Sequence, residues 1–288
     1  MSRPLEYRWP EGRRCAAILS FDFDAETPYL WNHRAGLTDV LGEPEQRRFG
    51  PRQGVHRILD VLAGLDLKAS FYIPGVVADR HSEEVVRIVE EGHEASLHGW
   101  LHERVDELGS EAEIEDSISR GAESLRAVTG RPAPGYRSPS WEMTPTTFRV
   151  LERLGIGYDS SLMGYDHPYW VGSTPEIPVN WFLDDAPYYR YAGRGDTRPP
   201  AFPEQLNRAW EEELEACKRF GGLFMLTMHP WMSGRAARIA ALERMVQRHR
   251  ADPEIWWTTA ADLADHHRSA HPVDFRVQAL GAELPRRE

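Results

Sequence analysis

The stretch Cys15-Ala16-Ala17-Ile18-Leu19-Ser20-Phe21 runs straight into Asp22-Phe23-Asp24-Ala25-Glu26. From Cys15 to Phe21 the apolar run is too continuous for a strand with one wet face, so both faces are expected under cover, as in a parallel sheet flanked by helices. Two carboxylates stand at its end. Alternation along an extended chain projects residues two apart to the same side, with Cα atoms about 6.5 Å apart, so Asp22 and Asp24 share a face where α/β folds place their sites. One aspartate there serves equally well as an Asx-type loop cap; two on one face point to chemistry.

Working outward, short apolar runs alternate with amphipathic stretches, the pattern of βα units. Val55, Ile58, Leu59 and Leu62 recur at helical spacing within Gly54–Leu65, and Ala69–Ile73 is the next strand. The segment Ser82–Glu91 reads as a helix stopped by Gly92, and Glu94–Leu97 returns to strand. Ser110 and Glu113 have capping-box spacing at the head of a helix that closes at Gly130. Thr144-Pro145 starts another helix, which ends at Gly155. Later strands are expected at Ile156–Tyr158, Glu176–Val179, Leu223–Met228 and Ile255–Thr259, with helices at Pro203–Phe220 and Ala236–Arg250. Roughly seven or eight strands are enough to close a barrel or to build an open doubly wound sheet. Asp184–Pro200 reads as a long loop.

The 288 residues fit one domain with a core at about 15–264 and a surface tail at 265–288. A net charge of -11 argues against a nucleic-acid partner or an anionic membrane surface, both of which need a concentrated basic face. Met1–Arg14 lacks the apolar run of a signal peptide, and no later stretch approaches the ~18 apolar residues of a membrane span; a cytoplasmic protein is expected. Cys15 and Cys217 read as buried thiols, not a disulfide framework.

His98 and His102, in Leu97-His98-Gly99-Trp100-Leu101-His102-Glu103, stand four apart, which on a helical turn puts both imidazoles on one face and suits a divalent metal. The spacing alone is weak, since His267 and His271 repeat it in a polar tail with no acidic strand end beside them. His98 directly follows a strand, as the aspartates do, and strand ends on one rim can converge on one ion. Two histidines with Asp24 and an open position form a catalytic ligand set, because a closed structural site needs a fourth protein ligand. His229-Pro230 ends the apolar strand Leu223–Met228 and offers a proton donor on the same rim. Arg137, in Gly135-Tyr136-Arg137-Ser138-Pro139-Ser140-Trp141, is the remaining charged candidate, or else a surface turn.

These residues, in order from about Cys15 to Ala264, resemble the polysaccharide deacetylase superfamily, defined by the NodB homology domain. The resemblance implies an irregular (β/α) barrel. It also implies that Asp22 is the base, that Asp24, His98 and His102 bind a divalent metal, with zinc expected, that Arg137 pairs with the base, and that His229 is the general acid. The chain departs from the family's first motif in that Phe23 separates the two aspartates and Ala25-Glu26 follows them. The family's acid-tuning aspartate has several candidates here, Asp159 and Asp184 or Asp185. Trp141, Trp181 and Glu26 are expected at the substrate pocket. The segments Phe21–Trp31, Arg137–Trp141 and Trp181–Pro187 look most like the cytosolic branch that includes peptidoglycan-deacetylase-like proteins, cyclic imidases and cofactor-independent allantoinases. That branch implies a homotetramer with an occluded site.

The expected function is metal-dependent hydrolysis of a carbon–nitrogen bond in a small cytosolic amide or cyclic imide. The alternative is N-deacetylation of an N-acetylhexosamine oligomer, with Trp100, Trp141, Trp170 and Trp181 available to stack on sugars or to pack the rim. A non-catalytic binding protein on the same fold would lack a ligand or the base, and none is missing.

Overall fold

The computed structural model describes residues 7–36, 40–191, 196 and 199–271, with 276–277 as backbone. The strands are β1 (Cys15–Asp22), β2 (Ser70–Ile73), β3 (Glu94–Leu97), β4 (Gly135–Tyr136), β5 (Tyr158–Asp159), β6 (Tyr169–Val171), β7 (Thr174–Glu176), β8 (Leu223–Met228), β9 (Ile255–Trp257) and β10 (Arg276–Val277). They form one sheet in the order β10-β6-β7-β5-β4-β3-β2-β1-β8, parallel except for the β6–β7 hairpin, with β9 also paired to β1. Ala16 and Ala17 pair with both β8 and β9, while Ser20 and Phe21 pair with both β8 and β2. One edge of β1 is therefore shared by β9 below and β2 above, and the sheet curls into an irregular half-barrel.

Alternation along β1 sorts the core. Cys15, Ala17, Leu19, Phe21 and Phe23 join the large cluster under helices Val55–Leu65, Pro203–Phe220 and Ala236–His249, while Ala16 and Ile18 point inward to Tyr72, Tyr158 and Met225. The larger of these buried side chains, Ile18, Leu19, Phe21 and Phe23, contribute about 1.5–3 kcal/mol each. The inner face then turns polar at Ser20 and Asp22, both buried. Both faces of β1 are covered, which accounts for its unbroken apolar run.

Caps stop the helices where expected: Ser110 accepts from the Glu113 N–H and Thr144 from that of Thr147, and Gly130 and Gly155 terminate with positive φ. Strands β3 and β8 have the expected bounds, whereas β5 and β7 are shifted and β4 and β6 are additional. Three expectations need correction. The segment Asp184–Pro200 is not loop throughout, since Ala186–Tyr189 is a short helix. Residues 265–271 are not tail: helix Ala260–Ala270 runs through them and buries His267, whose ring stacks on Tyr7. His98–His102 forms no helical turn, because Gly99 and His102 both take positive φ. The rest of the expected tail, 272–288, lies outside the described residues apart from the backbone of β10. Both cysteines are buried and unpaired, and no described helix is long and apolar enough to cross a membrane.

Candidate metal centre and active site

At the C-terminal end of β1 the inward face delivers Asp22 against Arg137, which follows β4 and is fully buried. Arg137 Nη1 donates to Asp22 Oδ1 at 2.7 Å and to Ser20 Oγ at 3.0 Å, while Nε and Nη2 donate to the carbonyl and hydroxyl of Ser160, each at 3.0 Å. The guanidinium also lies 3.8 Å from the centre of the Tyr72 ring. Burial alone would push Asp22 up, but chiefly the charge of Arg137, with that of His229, holds it below the usual carboxylate range. Asp22 thus lines the cleft as a carboxylate with Oδ1 held by Arg137, a form suited to a base.

β1 ends at Asp22, and the Phe23 N–H still bonds the carbonyl of Tyr72, so Asp24 leaves the sheet on the same side as Asp22. The His98–His102 loop comes to meet it from β3. The loop is shaped by Glu103, whose Oε2 accepts from the N–H groups of Trp100 and Leu101 and from Ser117 Oγ. Gly121 lets helix Glu111–Thr129 close on the Gly99 carbonyl, where any Cβ would collide. The two histidines thus converge through a capped loop and not through helical spacing.

His98 Nε2 lies 3.5 Å from Asp24 Oδ1, and His102 Nε2 lies 3.6 Å from Asp24 Oδ2. These separations are long for hydrogen bonds but match the roughly 3.4 Å between donors that share an ion at about 2.0–2.1 Å. Asp24 Oδ1 is buried without a hydrogen-bond partner among the described residues. His98 Nδ1 donates to the Arg137 carbonyl at 2.7 Å, which leaves the Nε2 lone pair facing the aspartate, the usual outer partner of a ligating imidazole. Burial, with help from His98 and Arg47, keeps His102 neutral, and burial pushes Asp24 up against the opposing pull of His229 and His98. A buried carboxylate with one orphaned oxygen, approached on its two oxygens by two imidazole nitrogens, fits a divalent cation.

His229, after β8, has its Nε2 3.6 Å from Asp24 Oδ2, facing the same point. Its Nδ1 donates to Asp185 Oδ1 at 2.7 Å. Asp185 Oδ2 accepts from the His229 N–H at 3.0 Å and from Ser233 Oγ. Burial would lower His229, yet Asp185 overcomes it and raises the imidazole to about 10. This pairing with Asp185 favours the protonated imidazole, the form a proton donor needs. Asp184, Asp185 and His229 also lie close enough together to hold an ion, but the oxygens of Asp185 are already occupied. Of the candidate tuning aspartates, then, Asp185 is the partner of His229. Asp184 stands off at 3.8 Å, with burial raising it to about 7. Asp159 is remote: it accepts from Ser161 Oγ and faces Glu176 across β5 and β7.

The centre opens into a cleft of about 170 Å3 whose walls include Trp141, Trp181, Ser140, Pro28, Trp231 and Met232. Trp141, held at φ 60°, packs on the half-exposed Trp181 with ring centres 4.2 Å apart. Trp100 and Trp170 lie elsewhere, one under Arg120 and the other bonded to the His271 carbonyl. Glu26 is not at the cleft, because Arg48 and His81 hold its carboxylate at 3.2 and 3.3 Å. The cleft also contains residues that sequence reasoning passed over, Arg47 and Arg190.

A family model described as polysaccharide deacetylase matches residues 49–159. The chain is 25% identical to the peptidoglycan deacetylase of Helicobacter pylori over 88% of this chain and 97% of that one. A crystal structure from Mycobacterium smegmatis, assigned as a polysaccharide deacetylase, is 36% identical, with TM-score 0.88 over 93% of this chain and 95% of that one. Puue allantoinase shares the fold at TM-score 0.76 and 21% identity, over 94% and 96% of the two chains.

Proposed function

Because this chain belongs to the polysaccharide deacetylase family, hydrolases of carbon–nitrogen bonds, we propose that it hydrolyses a small amide or cyclic imide with a divalent cation, zinc by its ligand set, held by Asp24, His98 and His102. The observation that favours a small substrate is the limited space beside the candidate metal ligands, about 170 Å3 walled by Trp141 and Trp181 and open on one side. One five-membered imide ring or one acylamino group fills it. The reading carries with it a cytoplasmic setting and a homotetramer, to be checked by fractionation and light scattering.

When bound, the cation supplies Lewis acidity for the scissile carbonyl and acidity for the attacking water. Asp22, ionised and held by Arg137, takes the proton from that water through its free oxygen. His229 gives the proton on Nε2 to the leaving nitrogen, and Asp185 stabilises the imidazolium before that transfer and holds Nδ1–H of the neutral ring after it. Trp141 and Trp181 flank the reacting group and exclude bulk water, which strengthens each of these interactions. Asp22 and His229 line the same cleft, so one substrate amide is within reach of both.

The test is turnover of succinimide, hydantoin and allantoin beside acetylated chito-oligomers. Hydrolysis of an imide, lowered about 10²- to 10⁴-fold by Asp22→Asn with metal content unchanged, is the expected result. Acetate release from the oligomers alone would overturn the small-substrate reading. Loss of metal in Asp22→Asn, with activity restored by added zinc, would make Asp22 a ligand.

A further inference from the structure

The open side of the cleft holds a charge that the hydrolytic scheme does not use. Arg47 lies on helix Gly42–Phe49 and is only 4% exposed, yet it lines the cleft. Its Nε and Nη2 both donate to Glu43 Oε1, at 3.0 and 2.9 Å, and its guanidinium stands 5.1 Å from the Trp231 ring centre. Nη1 has no hydrogen bond among the described residues. The backbone around it is fixed to the general acid. Helix Gly42–Phe49 runs into a π-turn, Gly50–Gly54, and the bare Cα of Gly54 abuts the carbonyl of Pro230 where a side chain would collide.

A second cation shares the cleft. Arg190, exposed at the end of helix Ala186–Tyr189, lines the same space, and its charge bears on Arg47 with like sign. A surface ion pair would need neither the burial of Arg47 nor a second arginine on the same cleft. Glu43 and Asp24 offset part of the Arg47 charge, while Arg190 adds a like charge on the same cleft, and an anion bound there would meet both guanidinium groups.

We infer that Arg47 and Arg190 form a carboxylate subsite, so that the substrate is a small amide or imide carrying a carboxylate away from the bond that is cut. This rests on the proposed function in taking the same cleft as the substrate site, and it narrows the substrate class to anions. Glu43 presents the Arg47 fork and neutralises part of its charge in the empty site. Arg190, on an exposed stem, closes the mouth over the bound anion. Arg47 is then a specificity residue, touching the substrate at the end opposite to Asp22 and His229.

Two paired measurements test the inference. The first compares kcat/KM for hydantoin and hydantoin-5-acetate. The carboxylated substrate is expected to be favoured roughly ten- to a hundredfold, the worth of a hydrogen bond to a charged group. Arg47→Gln should collapse that ratio toward one, with Arg47→Lys in between. The second needs no turnover: calorimetry of acetate, which has one carboxylate, against succinate, which has a second to offer the arginines. Succinate should bind at least tenfold tighter to the wild type and lose that advantage in Arg47→Gln. Arg190→Gln, on an exposed side chain, should cost several-fold of the advantage and keeps the test readable if Arg47 variants do not fold. Equal binding of the two acids by the wild type, or a succinate advantage that survives both substitutions, overturns the subsite. No turnover of either hydantoin with the succinate advantage intact and arginine-dependent supports the subsite and removes the imide reading alone.

Discussion

Replacing Arg137 by methionine removes the charge that the candidate base was built against. The side chain is fully buried and gives four hydrogen bonds, of which the shortest, at 2.7 Å, goes to the Asp22 carboxylate. The three bonds to Ser20 and Ser160 are each worth about 1 kcal/mol, and the charged one about 1.5–3 kcal/mol. Removing one partner of a buried pair typically costs about 3–5 kcal/mol, because the other charge is left uncompensated. Urea unfolding of Arg137→Met should therefore show a loss in that range, with a melting temperature lower by on the order of 10 °C. Asp22→Asn leaves the guanidinium without its counter-charge and should also destabilise. The decisive quantity is the double variant, since removing both charges leaves neither stranded. It should be less destabilised than the sum of the singles by about 1.5–3 kcal/mol. Additivity within about 0.5 kcal/mol would mean that Asp22 does not depend on Arg137 for its charge, and the assignment of Asp22 as a base held ionised by its neighbour would fail.

His98→Ala should abolish stoichiometric metal, measured by plasma mass spectrometry; full retention would move the ion elsewhere. Asp185→Asn deprives His229 of the carboxylate that keeps it charged and oriented, so turnover should fall about 10²-fold or more with metal retained, and an unchanged rate would remove His229 as the donor. The Asp159–Glu176 pair gives a pH signature. Burial raises Asp159 to about 6 from an ordinary 3.8, so the folded state holds a proton the unfolded chain releases. Its contribution is fully present below about 3.8, is lost as pH rises through about 6, and leaves a buried charge above. Asp159→Asn should thus gain stability relative to wild type as pH goes from 4 to 7, read from urea midpoints, and a pH-independent difference would show that the pair shares no proton.

The parts of the site that could be read in advance are those where residue type and strand position act together. β1 and β8 carry mostly apolar runs because both faces of these strands are covered, and the polar residues they do hold, Ser20, Asp22 and Thr227, are buried towards their C-terminal ends. Asp22, His98 and His229 stand at or just past the ends of β1, β3 and β8, and the ordered set of their partners pointed to one family. The β6–β7 hairpin was missed although Gly172-Ser173 between Val171 and Thr174 is a two-residue turn signal, with Gly172 at φ 62°. The histidine loop was misread as helical because i, i+4 spacing says nothing about a Glu103 carboxylate that organises the same residues with positive φ.

The remaining errors share a cause: which way a side chain turns is set by contacts distant in sequence. Asp184 and Asp185 are neighbours of the same type. Only the short helical turn at Trp181–Leu183 and the bridge from Asp184 to Thr227 decide that Asp185 meets His229. Asp159 ends a strand as Asp22 does, but its neighbour is Glu176 rather than a cation. Glu26 sits two residues from Asp24 and is drawn away by Arg48 and His81. Arg47 is the sharpest case, since with Glu43 four residues earlier it reads as an ordinary exposed helix pair, worth about 0.3–0.5 kcal/mol. Its burial comes from glycines at 54 and 234 that let the helix and its π-turn close on the His229 segment. An arginine carried into a cleft by glycine contacts is invisible to charge patterning, and so the identity of the substrate's far end could be sought only once the fold was known.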